Sequence, residues 1–494
     1  MSRSSMSGML GWSLLAAGIG FGVAACGGGG GGGDGEGGTP PDVFGPRIVT
    51  SSPAAGAGAV SVLTTVSVTL DEPIDPATVD GAIALYARFN PERVPGTTTY
   101  DDGTVTITFT PTLPLLHAER YALRVTPALT DVMGNNASPD GATVSFNTKI
   151  NSATARVDRS INGQQIARGL YLLDAQGRPT EDRYFNSPGT DNAWQTGDDT
   201  VAGRYVRAFG AAGQILTEGG YAPGPDGLLG TADDEASDLT THAWDADVRE
   251  VGFANVMAPG VDGVWNTADD VLSSVFTNTL QGDLLTSTVL AFGAGADGTW
   301  RTGDDDVDFI STFTFGADET PTRLVGSRAG ADKRSGTADD VIREVRDTTY
   351  EGGLRAWSSF LSKGADDTFL TSDDGYVRVD RYTRDDRGRL ITLDECDAAG
   401  ADGLWRTADD VIASRTRFSY NDQGLMVMRA DFMGPGVDGV WGTTDDVQRY
   451  REVVTRDAEG NAMTTTSYAG PGTDGLWNTS DDVIGFEAIH DTSR

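Results

Sequence analysis

Apolar and polar side chains alternate in short runs between Pro46 and Thr148, as in Val66-Ser67-Val68-Thr69-Leu70, Val105-Thr106-Ile107-Thr108-Phe109, Tyr121-Ala122-Leu123-Arg124-Val125 and Thr143-Val144-Ser145-Phe146. A period of two sends alternate side chains to opposite faces, so each run reads as a strand with one buried side. Short strands spaced evenly over about a hundred residues predict a β-sandwich. Beyond Asn151 the alternation weakens. Val447 to Val453 puts charge on one face and mixed character on the other, which predicts a sheet with a thin core and edges that need protection.

That second region carries a different regularity. The aspartates Asp191, Asp226, Asp262, Asp297, Asp332, Asp366, Asp402, Asp438 and Asp474 follow one another at intervals of 34 to 36 residues. Each has a Gly two residues before it, a Thr five after it and an Asp pair seven and eight after it, and GVDGVWGTTDDV from Gly436 to Val447 is the clearest copy. A period held this tightly marks a repeat architecture. Between the Asp-rich loops lie Asp174 to Gly177, Asp385 to Gly388, Asn421 to Gly424 and Asp457 to Gly460, where Asp or Asn starts a reversal and Gly accepts positive φ. Each unit therefore reads as strand, short turn, strand, long loop, with Val411 to Tyr420 running out and Leu425 to Phe432 returning. Nine hairpins make about eighteen strands, more than an open sheet carries flat. The predicted fold is all-β: a β-sandwich at 46–149, then a curled or superhelical antiparallel sheet of nine hairpin repeats at 150–494.

The long loop is the candidate site. Calcium takes six to eight oxygens in loops where glycine permits sharp turns, and the expected ligands are Asp226, Asp233, Asp234, Asp262, Asp269, Asp270, Asp297, Asp304, Asp305, Asp402, Asp409, Asp410, Asp438, Asp445, Asp446, Asp474, Asp481 and Asp482. Three carboxylates crowded without a counterion repel, each pair at 4 Å costing about 4 kcal/mol at an effective dielectric of 20. The spacing departs from EF-hand order, and adjacent residues of an extended segment face opposite ways. Metal-free turn chemistry, with Asp and Thr side chains bonding the loop backbone, is therefore the competing reading. The copy at Asp332 brings Lys333 and Arg334 into the loop and is the expected non-binder. Three residues after the first Asp stands Trp194, Leu229, Trp265, Trp300, Phe369, Trp405, Trp441 or Trp477, with Ser335 the exception. Stacked repeats would align these into a buried stripe or, alternatively, a row of platforms for sugar rings.

Several segments resemble the bacterial Ig-like domain of S-layer and other surface proteins: Pro53-Ala54-Ala55-Gly56-Ala57, Asp71-Glu72-Pro73-Ile74-Asp75, Thr110-Pro111 followed by Leu115, Asp131-Val132-Met133-Gly134-Asn135 and Phe146-Asn147-Thr148. That resemblance implies a spacer or binding module. The turn at Tyr420 to Gly424 is similar to the YD repeats of the RHS family, which implies hairpins stacked side by side and no function.

The start of the chain speaks to location. Met1 to Ala25 has one early basic residue, an apolar run and small residues before a cysteine, the layout of a signal peptide. Val23-Ala24-Ala25-Cys26 resembles the lipobox of bacterial lipoproteins, which implies cleavage before Cys26, its acylation and a membrane anchor, with Gly27 favouring the outer membrane. Residues 26–45 include seven consecutive glycines and read as a flexible tether. Lys plus Arg is 37 against 72 for Asp plus Glu, a formal charge of −35 that repels phosphates and excludes nucleic acid as a partner. With Cys26 lipidated, Cys396 has no disulfide partner. The three histidines, His117, His242 and His490, are scattered and form no nucleophilic set, so no enzyme is expected. The sequence thus predicts a lipid-anchored cell-envelope scaffold or adhesin stiffened by calcium, meeting a surface protein or glycan. A carbohydrate-binding surface protein, and an enzyme or RHS-like shell, are the alternatives.

Overall fold

The structure is a computed structural model that describes residues 44–491 except 88–92, 117–118, 138–141, 149–155, 162–163, 176–177, 195, 197, 212, 228, 230, 232, 247, 266, 268, 283, 317–319 and 459. The expectations for residues 1–43, among them cleavage and acylation at Cys26, lie outside the described residues.

Two antiparallel sheets form first. One orders the strands Ile48–Ser52, Val66–Leu70, Thr106–Pro111 and Gly96–Asp101, the other Ile83–Ala87, Arg120–Val125 and Ala142–Asn147. The alternation seen in the sequence is realised: Val66, Val68 and Leu70 are buried while Ser67 and Thr69 are half-buried. Val66, Val68, Leu85, Ile107, Leu123 and Phe146 fill the space between the sheets, each worth about 1.5–3 kcal/mol on full burial. The Phe146 ring stacks on Tyr121 at 5.8 Å.

From Gln164–Leu173 to Val483–Asp491, nineteen strands each pair antiparallel with their neighbours in sequence. The six-residue strand Arg156–Ile161 pairs with Gln164–Leu173 on one side and with Val483–Asp491 on the other, Ser160 opposite Glu487 and Val157 opposite His490. The ladder therefore returns to its own start, and the expected curl ends in closure. Joining the two edges satisfies backbone groups that an open sheet leaves unpaired.

Hairpin turns lie at one end of the strands and Asp loops at the other. In the turn that begins at Asp385, its N–H donates to the Arg389 carbonyl at 2.9 Å. Arg389 returns its own N–H to Asp385 Oδ1 at 2.8 Å and its Nε to Oδ2 at 2.7 Å. Asp174 with Arg178 and Asp245 with Arg249 repeat this clasp, and Gly388 at φ 77° supplies the left-handed residue. The Ig-like unit sits on this end: Leu425, from a hairpin tip, is part of its apolar cluster. Asn147 Nδ2 donates to the Gly213 carbonyl at 3.1 Å, and the Arg120 guanidinium lies 4.4 Å from the Trp244 ring centre.

Closure predicts that backbone amides of Arg156–Ile161 and Val483–Asp491 exchange with deuterium as slowly as those of Val411–Tyr420. Rapid exchange confined to those two strands would show an open sheet with frayed edges.

Candidate functional site

Each Asp loop is assembled by its three carboxylates in three different roles. In the clearest copy, Asp438 Oδ1 accepts the Val440 N–H at 2.7 Å and fixes the first bend. Asp445 reaches across the loop: Oδ2 accepts the N–H groups of Val437 at 2.7 Å and Asp438 at 3.1 Å, and Oδ1 takes the Thr443 hydroxyl at 2.6 Å. Asp446 points toward the sheet, where Oδ2 accepts the Gly442 N–H at 2.9 Å and pairs with Arg417 Nη2 at 2.7 Å.

The other predicted residues repeat these roles. Asp262, Asp297, Asp402 and Asp474 accept from the residue two positions on. Asp269, Asp304 and Asp481 each take two successive N–H groups, and Asp233 and Asp409 take those of Asp226 and Asp402. Asp270, Asp305, Asp410 and Asp482 accept N–H groups of their own turn, and Asp234 pairs with Arg204 at 3.4 Å. The loop at Asp332 closes in the same way, Asp339 accepting the Asp332 N–H at 3.3 Å. The three predicted aspartates share one loop, where their oxygens meet loop N–H groups and, at Asp262, Asp269 and Asp270, also approach the Thr267 hydroxyl at 2.8–3.5 Å. Among the described residues, no three His, Cys, Asp or Glu side chains are arranged to hold a metal ion.

The conserved spacing of glycine within each repeat follows from this geometry. A Cβ on Gly436 or Gly472 would collide with the carbonyl oxygen of Asp445 or Asp481, so the second carboxylate can cross the loop only where that side chain is missing. One residue past the first Asp the backbone is left-handed in every kind of copy, at Gly439 with φ 70°, Asn192 with φ 58° and Lys333 with φ 55°.

The second aspartates are held ionised. The Thr302 hydroxyl, then the Asp297 N–H, lower the Asp304 carboxyl from 3.8 to about 2. Thr hydroxyls and loop N–H groups likewise lower Asp198, Asp269, Asp445 and Asp481.

The third aspartates meet a cross-strand pair that sequence reading did not find. Arg168 stands opposite Phe185, Arg204 opposite Tyr221 and Arg451 opposite Tyr468. The guanidiniums of Arg168 and Arg451 lie 4.6 and 4.0 Å from those ring centres and pair with Asp199 at 3.1 Å and Asp482 at 2.7 Å. In other repeats the pair is apolar and buried, Leu239 opposite Val256, Val275 opposite Ala291 and Val379 opposite Cys396. Burial pushes the Cys396 thiol up to about 12, far from a reactive thiolate.

Trp194, Trp265, Trp300, Trp405, Trp441 and Trp477 are half-buried, neither a sealed stripe nor an open row. Trp405 meets Tyr376 edge-on at 6.3 Å, and Arg415 lies 5.3 Å from the Trp441 ring centre. His242, which the sequence left without a role, is buried, with Nδ1 2.6 Å from Glu250 Oε1 and Nε2 3.2 Å from Glu218 Oε1. His117 lies outside the described residues.

Residues 42–148 match the bacterial Ig-like domain family. No curated protein matches the chain. Among solved structures, the N-terminal part of the bacterial S-layer protein SbsC is similar at 14% identity and a TM-score of 0.18, over 50% of this chain and 43% of that one. The TcdB2-TccC3-TEV structure is similar at 10% identity and a TM-score of 0.22, over 76% of this chain and 21% of that one. A porin-like protein from Bacteroides uniformis gives 8% identity and a TM-score of 0.24, over 69% and 97%. The chain spans less than half the length of the S-layer and toxin chains.

Two outcomes follow. Because the second aspartates have folded values below their unfolded 3.8, their stabilisation is present above pH 4 and is lost as pH falls toward about 2. Melting temperature should therefore drop through that acid window, and Thr302→Ala should shrink the drop. Removing one member of the buried Arg451–Asp482 pair, as in Arg451→Met, should cost about 3–5 kcal/mol in chemical denaturation. The double variant Arg451→Met/Asp482→Leu should lose less than the single one; equal or larger loss would mean that the pair is not coupled.

Proposed function

We propose that this chain is a lipid-anchored structural or adhesive protein of the bacterial cell envelope, acting by presenting a surface rather than by catalysis. The observation that supports this most is the division of the barrel into two ends. The Ig-like unit occupies the short-turn end, and the Asp loops collect at the other, where they form a rim of exposed carboxylates. Chain order places the glycine tether before the Ig-like unit, and the acidic rim is the surface proposed here for a partner. A surface protein with basic character fits that rim better than an anionic glycan, on charge alone.

The sheet has the character of a water-facing wall in the region best endowed with charge. Arg381 and Arg415 clasp Asp394 at 2.7 and 2.5 Å on one face. On the opposite face Arg378 pairs with Asp380 at 2.7 Å and Glu395 at 2.8 Å. Among the described residues no helix is long and apolar enough to cross a membrane.

Calcium has a limited place in this reading, since hydrogen bonds and arginines already engage the loop carboxylates. A rim this acidic would still gather cations from solution by charge.

Fractionation tests the anchor: the wild-type chain should partition with membranes and Cys26→Ser should not, whereas equal partitioning would remove the lipid from the proposal. Calcium added to chelator-treated protein should leave the melting temperature nearly unchanged, and a large saturable rise with several ions bound would instead make the loops ion sites.

A further inference from the structure

Three neighbouring loops of the rim, those at Asp402, Asp438 and Asp474, carry exposed aliphatic side chains at equivalent places. Leu404, Val440 and Leu476 stand two residues after the first aspartate and are 61, 56 and 63% exposed, and Val411, Val447 and Val483 follow the Asp pair at 49, 55 and 49%. We infer that this sector is a docking surface for a basic amphipathic helix of a partner protein. The inference rests on the reading of the rim as a partner surface and says what kind of partner it meets.

The loops repeat closely enough to set these side chains in rows. Leu404, Val440 and Leu476 each give their N–H to the first aspartate of their own loop at 2.7 Å. The glycines before them, Gly403, Gly439 and Gly475, hold φ at 71, 70 and 72°. The same anchoring in each copy turns the three side chains the same way. Each loop is two strands from the next, so at about 4.8 Å per strand the rows advance by roughly 10 Å. An α-helix returns every seventh residue to one face after about 10.5 Å, which keeps step with the rows. A β-strand returns to one face after about 6.7 Å and falls out of step. The sector is local, because the three preceding loops have Thr299, Arg334 and Thr368 in the place of Leu404.

Charge decides what can cover it. Asp402, Asp409, Asp438, Asp445, Asp474 and Asp481 are exposed beside the aliphatic rows. The hydroxyls of Thr407, Thr443 and Thr473 hold the Asp409, Asp445 and Asp481 carboxyls below their ordinary value, so these are charged at neutral pH. Arg417 and Arg451 are turned to Asp446 and Asp482, each at 2.7 Å. Arg406 donates to Ser359 Oγ at 2.9 Å with its guanidinium 5.1 Å from the Tyr376 ring centre, and Arg449 is an exposed opposing charge. An apolar stripe bordered by carboxylates repels anionic lipid headgroups and also a second copy of this chain, whose formal charge is −35. It attracts a segment with lysine or arginine beside its apolar residues. A helix laid on such a stripe anchors it through residues at helical spacing.

Calorimetry on the full chain tests this with a helical peptide of three heptads, leucine on one face and lysine on its flanks. Comparison peptides carry glutamate in place of lysine, or serine in place of leucine. The leucine–lysine peptide should bind one to one, and each comparison peptide about tenfold more weakly. Leu404→Ser and Leu476→Ser should each weaken it about tenfold, as loss of one buried leucine implies, with unchanged far-ultraviolet circular dichroism, whereas Thr299→Ser should bind as the wild type does. Binding undiminished in both folded leucine variants, or equal binding of the serine–lysine peptide, would overturn the docking helix and spare the acidic rim. Absence of heat from both lysine peptides would overturn the two together. Sedimentation with phosphatidylcholine vesicles that both variants abolish would assign a lipid surface instead, and self-association that they abolish would assign a second copy; either result overturns the inference.

Discussion

The array depends on a carboxylate that crosses its own loop to accept loop N–H groups, two in succession where it is fullest, as Asp445 does from Val437 and Asp438. The crossing fixes the distance between the strand that enters the loop and the strand that leaves it. Because the same crossing is made by Asp269, Asp304 and Asp481, successive hairpins are set side by side with a common offset. Uniform offsets let a long sheet curve steadily until its edges can meet. The glycine two residues before the first aspartate belongs to the same constraint, since its missing side chain is the gap through which the crossing is made.

Beneath that loop the sheet solves a second problem in two ways. A third aspartate turned toward the protein must be neutralised or have its surroundings kept favourable by hydrogen bonds. Repeats with Asp199, Asp234 and Asp482 do it with an arginine laid on a cross-strand aromatic ring. Elsewhere buried aliphatic pairs such as Leu239 with Val256 fill the same place, and loop N–H groups satisfy aspartates such as Asp305 and Asp410. Cys396 belongs to this apolar solution: it is a small side chain packed opposite Val379. The thin core expected from the poor alternation is thus supplemented by stacked guanidiniums whose carbon stems and planes cover apolar surface.

Much of the plan was legible in the residues. Strong alternation marked Val66–Leu70 and Arg120–Val125, and the period of the aspartates gave the hairpins, with Val411–Tyr420 and Met426–Phe432 close to their expected bounds. The roles inside the loop were harder, because counting carboxylates does not reveal how many N–H donors face them. Arg451 lies 31 residues before Asp482, so only the register of the sheet makes them neighbours. His242 was opaque for a related reason: Glu218 and Glu250 sit 24 and 8 residues away on adjoining strands. Arg156–Ile161 carries no Asp loop before it, and only its pairing shows that it joins the two edges.

That joining strand sets a limit on how such a chain can change. An open solenoid can gain or lose a unit at either end, because each unit needs only its neighbour. Here the last strand is committed to a partner laid down more than three hundred residues earlier, Ser160 beside Glu487. Duplicating or deleting one hairpin would alter the circumference, and every offset around the circle would have to readjust for the first and final strands to meet. The number of units is therefore inherited as a single character of the whole array, and variation is directed instead into the side chains of loops that all keep the same backbone.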